Sequence, residues 1–403
     1  MTSHDRKPKL GIFSADSHQN STPLDALLAL RGLACAIVVM AHCQPPRNIF
    51  YYFDRDLTWL ISSPGGVAVK IFFCLSGYLM GKAFYGERYQ ANFTGIINFW
   101  RNRLLRICPL YYFVVLISIL FFYPETLKFA NWIYTIRILT FTYNQALPIN
   151  FNGALWSLST EMQFYLIVPF IYIFFKHKLV NLPKVIWAFG LIILAGFLLR
   201  SAILLVINYQ NNLDANQNID YFTKYIYSPL LTNLDLFLSG FLVNALLKYQ
   251  KISPKYRKLF SVKNALILFL LFYLFCSYYK YYYQDSLVFI AFPLTALTIS
   301  IFIFIWELNQ RQRFSIKNPI NFRSAGGNKL LKTTEILGNL SYGIYLWHLP
   351  ILSKISPFVS SDQPLPAFLL RFAVTFTLSS LLATVTYYLV EIPLAGLKIY
   401  RKS

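Results

Sequence analysis

Leu24–Cys43 reads LDALLALRGLACAIVVMAHC. It is the first run long enough to cross a bilayer, because twenty residues rising about 1.5 Å each cover about 30 Å. It holds two groups that a membrane helix carries only at a cost, Arg31 and His42. They are eleven positions apart. At about 100° per residue this is three turns plus roughly 20°, so both lie on one face, about 16 Å apart along the axis, or half a membrane thickness. An ionisable side chain at membrane depth is read first as functional. The structural alternative is an arginine that snorkels and a histidine wetted at the helix end.

The rest of the chain has the same apolar character. Of 403 residues, 56% are hydrophobic and only 13% charged, about half the charge of a soluble chain. Nine further apolar runs follow: Val67–Phe84, Ile107–Tyr123, Ala154–Phe175, Val185–Ile207, Ile226–Leu247, Ala265–Tyr282, Leu287–Trp306, Ile336–Ile355 and Phe368–Val390. The expected fold is therefore all-α, a polytopic bundle of about ten transmembrane helices. If the amino terminus is cytoplasmic, the inner segments hold most of the 37 Lys and Arg, while the outer loops hold Asp54, Asp56, Glu125, Asp214, Asp220, Asp285 and Asp362. That asymmetry puts both termini in the cytoplasm. The expected division is a tail over 1–23 with no cleaved signal, a membrane domain over 24–391 and a second tail over 392–403. The net charge of +21 lies in short clusters between apolar runs and forms no basic face, so it points to orientation in a membrane and to no nucleic-acid partner. Cys35, Cys43, Cys74, Cys108 and Cys276 lack paired spacing and suggest neither a disulfide framework nor a metal site. Phe129–Tyr143 is apolar and aromatic but short and interrupted by Arg137, and is read as an interfacial or re-entrant segment on the outer side. Its aromatics suit a headgroup belt or a sugar-stacking platform.

Few groups at membrane depth could do chemistry. Of five histidines, only His42 and His348 lie within or at the ends of these runs, both toward the outer side. Glu161, in LWSLSTEMQFYL, and Asp235, in NLDLFLSG, are the clear carboxylates. A buried carboxylate without a partner takes up a proton, so Glu161 either pairs with a histidine or arginine or stays neutral as a donor. A histidine and a carboxylate sharing one cavity would form a general base and its orienting partner. A structural hydrogen bond clamping Glu161 and His348 explains the same residues. In FWRNRLLRICPLY (Phe99–Tyr111), Arg103 and Arg106 share a helical face. Arginine forks suit phosphate, although topology alone also places basic residues there. Cys43, beside His42, is a weaker candidate nucleophile.

Six stretches together resemble one family, the acyltransferase 3 integral membrane proteins that acylate extracytoplasmic sugars. They are LRGLACAIVVMAHC (Leu30–Cys43), FFCLSGYLM (Phe72–Met80), RLLRICPLYY (Arg103–Tyr112), LWSLSTEMQFYLIVP (Leu155–Pro169), LDLFLSG (Leu234–Gly240) and LGNLSYGIYLWHLPIL (Leu337–Leu352). The resemblance implies an acyl-CoA donor, with acetyl-CoA the expected one, approaching from the cytoplasm without a metal, and a glycan or glycolipid acceptor outside. It also implies His42 as catalytic base with Glu161 as its carboxylate, Arg31, Arg103 and Arg106 toward the CoA phosphates, and Tyr345 and His348 toward substrate. Departures are Leu28 where a polar residue is usual, Met162 in place of a second acid, and Asn233 where an arginine often precedes the aspartate. The last leaves a salt bridge to Asp235 in doubt.

The expected activity is thus transfer of an acyl group from acyl-CoA to a sugar hydroxyl of a polysaccharide or glycolipid, in a bacterial cytoplasmic membrane and among its lipids. Some relatives add an extracytoplasmic hydrolase-like domain. None is expected in this chain, and no G-x-S-x-G occurs, so transfer would be direct or pass to a separate partner, with a homodimer also open. The rival reading is a glycan or lipid exporter using Glu161 and the histidines as a proton relay. The internal symmetry and paired broken helices of a transporter are not visible in the sequence.

Overall fold

The computed structural model describes residues 25–61, 65–143, 151–210, 221–249, 262–282, 295, 298–307, 329–359 and 364–398. The tail expected at 1–23, residues 399–403 of the tail expected at 392–403, and the first half of the run at Leu287–Trp306 lie outside these residues. Eleven helices organise the described part: α1 (Ala26–His42), α2 (Gly65–Tyr85), α3 (Phe93–Phe121), α4 (Trp132–Leu139), α5 (Leu155–Lys178), α6 (Leu182–Gln210), α7 (Leu230–Tyr249), α8 (Val262–Tyr282), α9 (Thr298–Glu307), α10 (Lys329–Ile355) and α11 (Pro364–Thr386). A π-helical turn, Tyr387–Glu391, carries α11 into Ile392–Ala395. The described strands form one two-residue antiparallel hairpin, β1 (Tyr51–Tyr52) with β2 (Arg55–Asp56).

By length and composition six stretches can cross a membrane: α2, α3, α5, α6, α7 with the turn before it (Thr223–Tyr249), and α11 with its continuation to Ala395. The apolar parts of α1, α8 and α9 are shorter, so ten crossings do not follow from helix length alone. At α1 the shortening has a local cause: the Asp25 side chain accepts from the backbone N–H of Leu27 and Leu28, both at 3.1 Å, and caps the helix two residues into the apolar run. The reverse happens at α3. Asn92 caps Gly95 N–H at 2.8 Å, so the helix starts well before Ile107, and Arg103 stands about 15 Å along it. The aromatic stretch after α3 forms a 3-10 turn, Phe129–Asn131, and then α4, eight residues or about 12 Å long. It is too short to cross, and Trp132, Ile133 and Ile136 are exposed.

Two glycine crossings set the bundle's spacing. A Cβ on Gly240 of α7 would stand 1.8 Å from the Cys74 carbonyl oxygen, and one on Gly77 of α2 would stand 1.9 Å from that of Phe237. The two backbones touch, as small residues permit between membrane helices. Gly32 of α1 and Gly338 of α10 repeat the arrangement, each 2.1 Å from a carbonyl of the other helix (Thr334 and Leu28). This fixes Arg31 and His42 against α10. Around α2, stacked rings fill the core: Phe73 on Phe237 at 4.5 Å and Phe237 on Phe164 at 4.2 Å.

Candidate active site

A cavity of about 840 Å³, counting its part open to solvent, runs between α1, α2, α3, α5 and α10. Its walls follow helical spacing: Val69, Phe72, Ser76 and Leu79 on α2, and Ser157, Glu161 and Tyr165 on α5. From Val69 to Met80 the α2 wall is about 16 Å long. Of the residues singled out in the sequence, Arg31, Arg103, Arg106, Glu161 and Tyr345 all line it. His42 and His348 do not.

The cations gather in one part of this space. Arg106 Nη1 donates to Glu391 Oε2 at 2.6 Å, and the Glu391 side chain is only 4% exposed. The π turn at the end of α11 swings that carboxylate onto α3. Arg103 lies over Phe99 and Tyr165, about 6 Å from each ring, and its Nε is buried without a hydrogen-bond partner among the described residues. Arg31 makes no ion pair among the described residues. Lys398, just past the last helix, is pushed down to about 8 by burial and then by the charges of Arg106 and Arg103. Positive charge in excess of Glu161 and Glu391, with an orphaned guanidinium N–H, suits an anion. The Arg103 orphan is an exception of the kind that calls for an unseen partner.

Glu161 is held by hydroxyls. Ser76 Oγ donates to it at 2.6 Å, the Tyr165 hydroxyl also donates to it, and the two hydroxyls are 2.8 Å apart. Tyr165 is one helical turn from Glu161, a pair legible in the sequence that was not singled out there. Farther along, the Tyr345 and Ser157 hydroxyls are 2.6 Å apart, and both reach the Ala154 carbonyl. Tyr342 on α10 donates to the Ile107 carbonyl of α3 at 2.8 Å, tying the arginine helix to α10.

Beyond Tyr345 lie the histidines. The Tyr345 and His348 ring centroids are 5.5 Å apart, and those of His348 and His42 5.0 Å. His348 Nε2 is 3.3 Å from His42 Nδ1, and His42 Nδ1 is 2.9 Å from the Val38 carbonyl. A carbonyl only accepts, so His42 carries its proton on Nδ1 and its lone pair on Nε2. Thus His42 has a histidine neighbour, and Glu161 bonds to Ser76 and Tyr165. Cys43 points away, fully buried in a second cluster with Leu340, Ile344 and Phe368. Its carbonyl accepts from Arg371 Nε at 3.2 Å, which secures the end of α1 next to His42. Among the described residues no cluster of His, Cys, Asp and Glu could hold a metal.

A separate buried polar group surrounds Asp235. Arg200 of α6 grips it with two bonds, 3.0 and 2.8 Å, and also donates to Thr232 O and Thr295 Oγ1. The salt bridge put in doubt by Asn233 therefore exists, supplied by another helix, while Asn233 accepts from Lys70 Nζ. The signal for Arg200 was its solitary position inside an apolar run.

The chain is similar to several curated proteins. The chain is 28% identical over 389 residues to the peptidoglycan O-acetyltransferase OatA of Listeria monocytogenes, which covers 91% of this chain and 54% of that protein. It is 25% identical over 366 residues to the O-acetyltransferase OatA of Staphylococcus aureus, with 86% and 54% covered. It is 24% identical over 364 residues to the putative peptidoglycan O-acetyltransferase YrhL of Bacillus subtilis, with 85% and 52% covered. The chain thus spans about half the length of these relatives. No solved structure matches it. The acyltransferase 3 family, described as an acyltransferase domain, matches residues 24–384, and this multi-pass membrane chain belongs to it.

Proposed function

We propose that the chain transfers an acetyl group from cytoplasmic acetyl-CoA to a sugar hydroxyl of an extracytoplasmic cell-wall glycan, in the cytoplasmic membrane of a bacterium. One observation carries this reading: a single elongated cavity has Arg31, Arg103 and Arg106 on its wall and reaches Tyr345, whose ring abuts the His348–His42 pair. Phosphates of the donor bind the guanidinium groups. The pantetheine arm, comparable in length to the roughly 16 Å from Arg31 to His42, lies along the cavity. The arrangement calls for ten crossings with both termini inside, α1 and α10 packing as one unit through their glycines.

In the reaction, His42 Nε2 takes the proton of the attacking sugar hydroxyl as the new oxygen–carbon bond forms and the thioester carbon–sulfur bond breaks. The departing thiolate recovers a proton from the imidazolium, so none is gained or lost. Glu161, set by Ser76 and Tyr165, offsets positive charge as the imidazolium forms, and the Tyr345 hydroxyl contacts the thioester. A site poor in water protects the thioester from hydrolysis. The relatives named for peptidoglycan O-acetylation support a peptidoglycan-type acceptor, reached directly or through a partner outside the membrane. The test supplies purified protein with acetyl-CoA labelled in the acetyl group, with and without cell-wall glycan. Label reaches the glycan with wild type and not with His42→Ala, which still binds CoA. Transfer at the wild-type rate by His42→Ala overturns the reading.

A further inference from the structure

His348 is wholly buried, and both its ring nitrogens are engaged within the protein. Nδ1 lies 2.7 Å from the Tyr345 carbonyl. Since that oxygen can only accept, Nδ1 carries the hydrogen, and in the neutral ring Nε2 is a pure acceptor. Facing it at 3.3 Å is His42 Nδ1, whose hydrogen is shared with the Val38 carbonyl at 2.9 Å. Two backbone carbonyls, one on α10 and one on α1, therefore set the tautomers of both rings in series. About 15 Å along the same two helices, the Gly32–Gly338 crossing brings their backbones into contact.

We propose that His348 is a positioning residue: it accepts the Nδ1 proton of His42, keeps the His42 lone pair on Nε2, and holds the ring through the imidazolium stage without touching the sugar. This differs from the substrate contact implied by family resemblance, since neither nitrogen of His348 remains for a sugar. It rests on His42 being the base. When His42 Nε2 receives the hydroxyl proton, the charged ring has two N–H groups to satisfy. The Nδ1 side then meets a neutral nitrogen lone pair and a carbonyl, the part usually filled by a carboxylate behind a catalytic histidine.

The experiment compares His348→Leu, His348→Gln and His42→Ala in the full chain, with acetyl-CoA binding as the control for folding. Glutamine can place its Oε1 where Nε2 stands and still accept, while leucine cannot. With the acceptor removed, kcat falls by roughly 100-fold in His348→Leu, with the KM for glycan within about threefold, and recovers to within about tenfold of wild type in His348→Gln. Nitrogen-15 spectra of labelled histidine show His42 in the Nδ1–H tautomer in wild type and His348→Gln, and in both tautomers in His348→Leu. A raised glycan KM with intact kcat in His348→Leu overturns the proposal and leaves acyl transfer standing. If His348→Leu does not bind acetyl-CoA, His348→Gln decides alone: loss of the single tautomer, or of activity as complete as in His42→Ala, overturns it. Wild-type activity in His42→Ala removes the base on which the proposal rests.

Discussion

Arg103 and Arg106 are equivalent in the sequence, one helical turn apart with the same expected partner, yet the structure gives them different work. Arg106 neutralises Glu391, whose side chain is 4% exposed, while Arg106 itself is 30% exposed. Breaking a fully buried pair costs about 3–5 kcal/mol and an exposed one under about 1, so Arg106→Ala falls between, at about 2 kcal/mol. Among the described residues Arg103 has ring contacts and a buried Nε without a hydrogen-bond partner, so Arg103→Ala costs about 1 kcal/mol or less. If CoA is bound as proposed, each substitution also removes a charge-assisted hydrogen bond to it, about 1.5–3 kcal/mol, or roughly 10- to 150-fold in Kd. Calorimetric titration with CoA and the thermal midpoint in detergent separate the two effects. Both variants bind weakly, only Arg106→Ala melts clearly lower, and Arg106→Ala with Glu391→Ala recovers the midpoint but not the affinity. Equal midpoints for the two single variants, or CoA affinity within about twofold of wild type in Arg103→Ala, would refute the division of roles.

Two other consequences are measurable. Lys398, pushed down to about 8 by burial and then by Arg106 and Arg103, loses its charge above that pH, and with it, on the proposed donor site, an attraction for CoA. CoA affinity therefore falls as pH rises from 7 to 9, and Lys398→Arg flattens that profile; an unchanged profile in Lys398→Arg counts against it. At the second polar cluster, Arg200→Leu alone strands a carboxylate that is 1% exposed and lowers stability by about 3–5 kcal/mol, whereas Arg200→Leu with Asp235→Leu stays near wild type. Thermal midpoints check both, and a mild single variant would contradict the pairing.

Much of the site was legible because membrane helices carry few ionisable groups, so each one stands out. Arg31, Arg103, Arg106, Glu161 and Tyr345 came from four separate stretches and meet on one cavity. Helix faces could also be read, since spacing places Glu161 above Tyr165. What spacing cannot give is which helices face each other. Nothing in NLDLFLSG shows that the counter-ion of Asp235 sits on α6, or that His42 meets His348 before any carboxylate. Glu391 fell at the edge of an apolar run, and only the π turn after α11 brings it to Arg106. Helix ends misled for a similar reason: the asparagine cap at residue 92 extends α3 far beyond its apolar part, and the Asp25 cap cuts α1 short.

On the proposed mechanism one cavity carries a thioester from guanidinium groups to an imidazole. The most direct measurement is an electron cryomicroscopy structure with an unreactive acetyl-CoA analogue in which the thioester sulfur is replaced. The expected map has phosphates within hydrogen-bond reach of Arg103 and Arg106, the arm along α2, and the acyl carbon past Tyr345 facing His42 Nε2. An analogue bound outside the cavity, or one with its acyl end among the arginines, would contradict it.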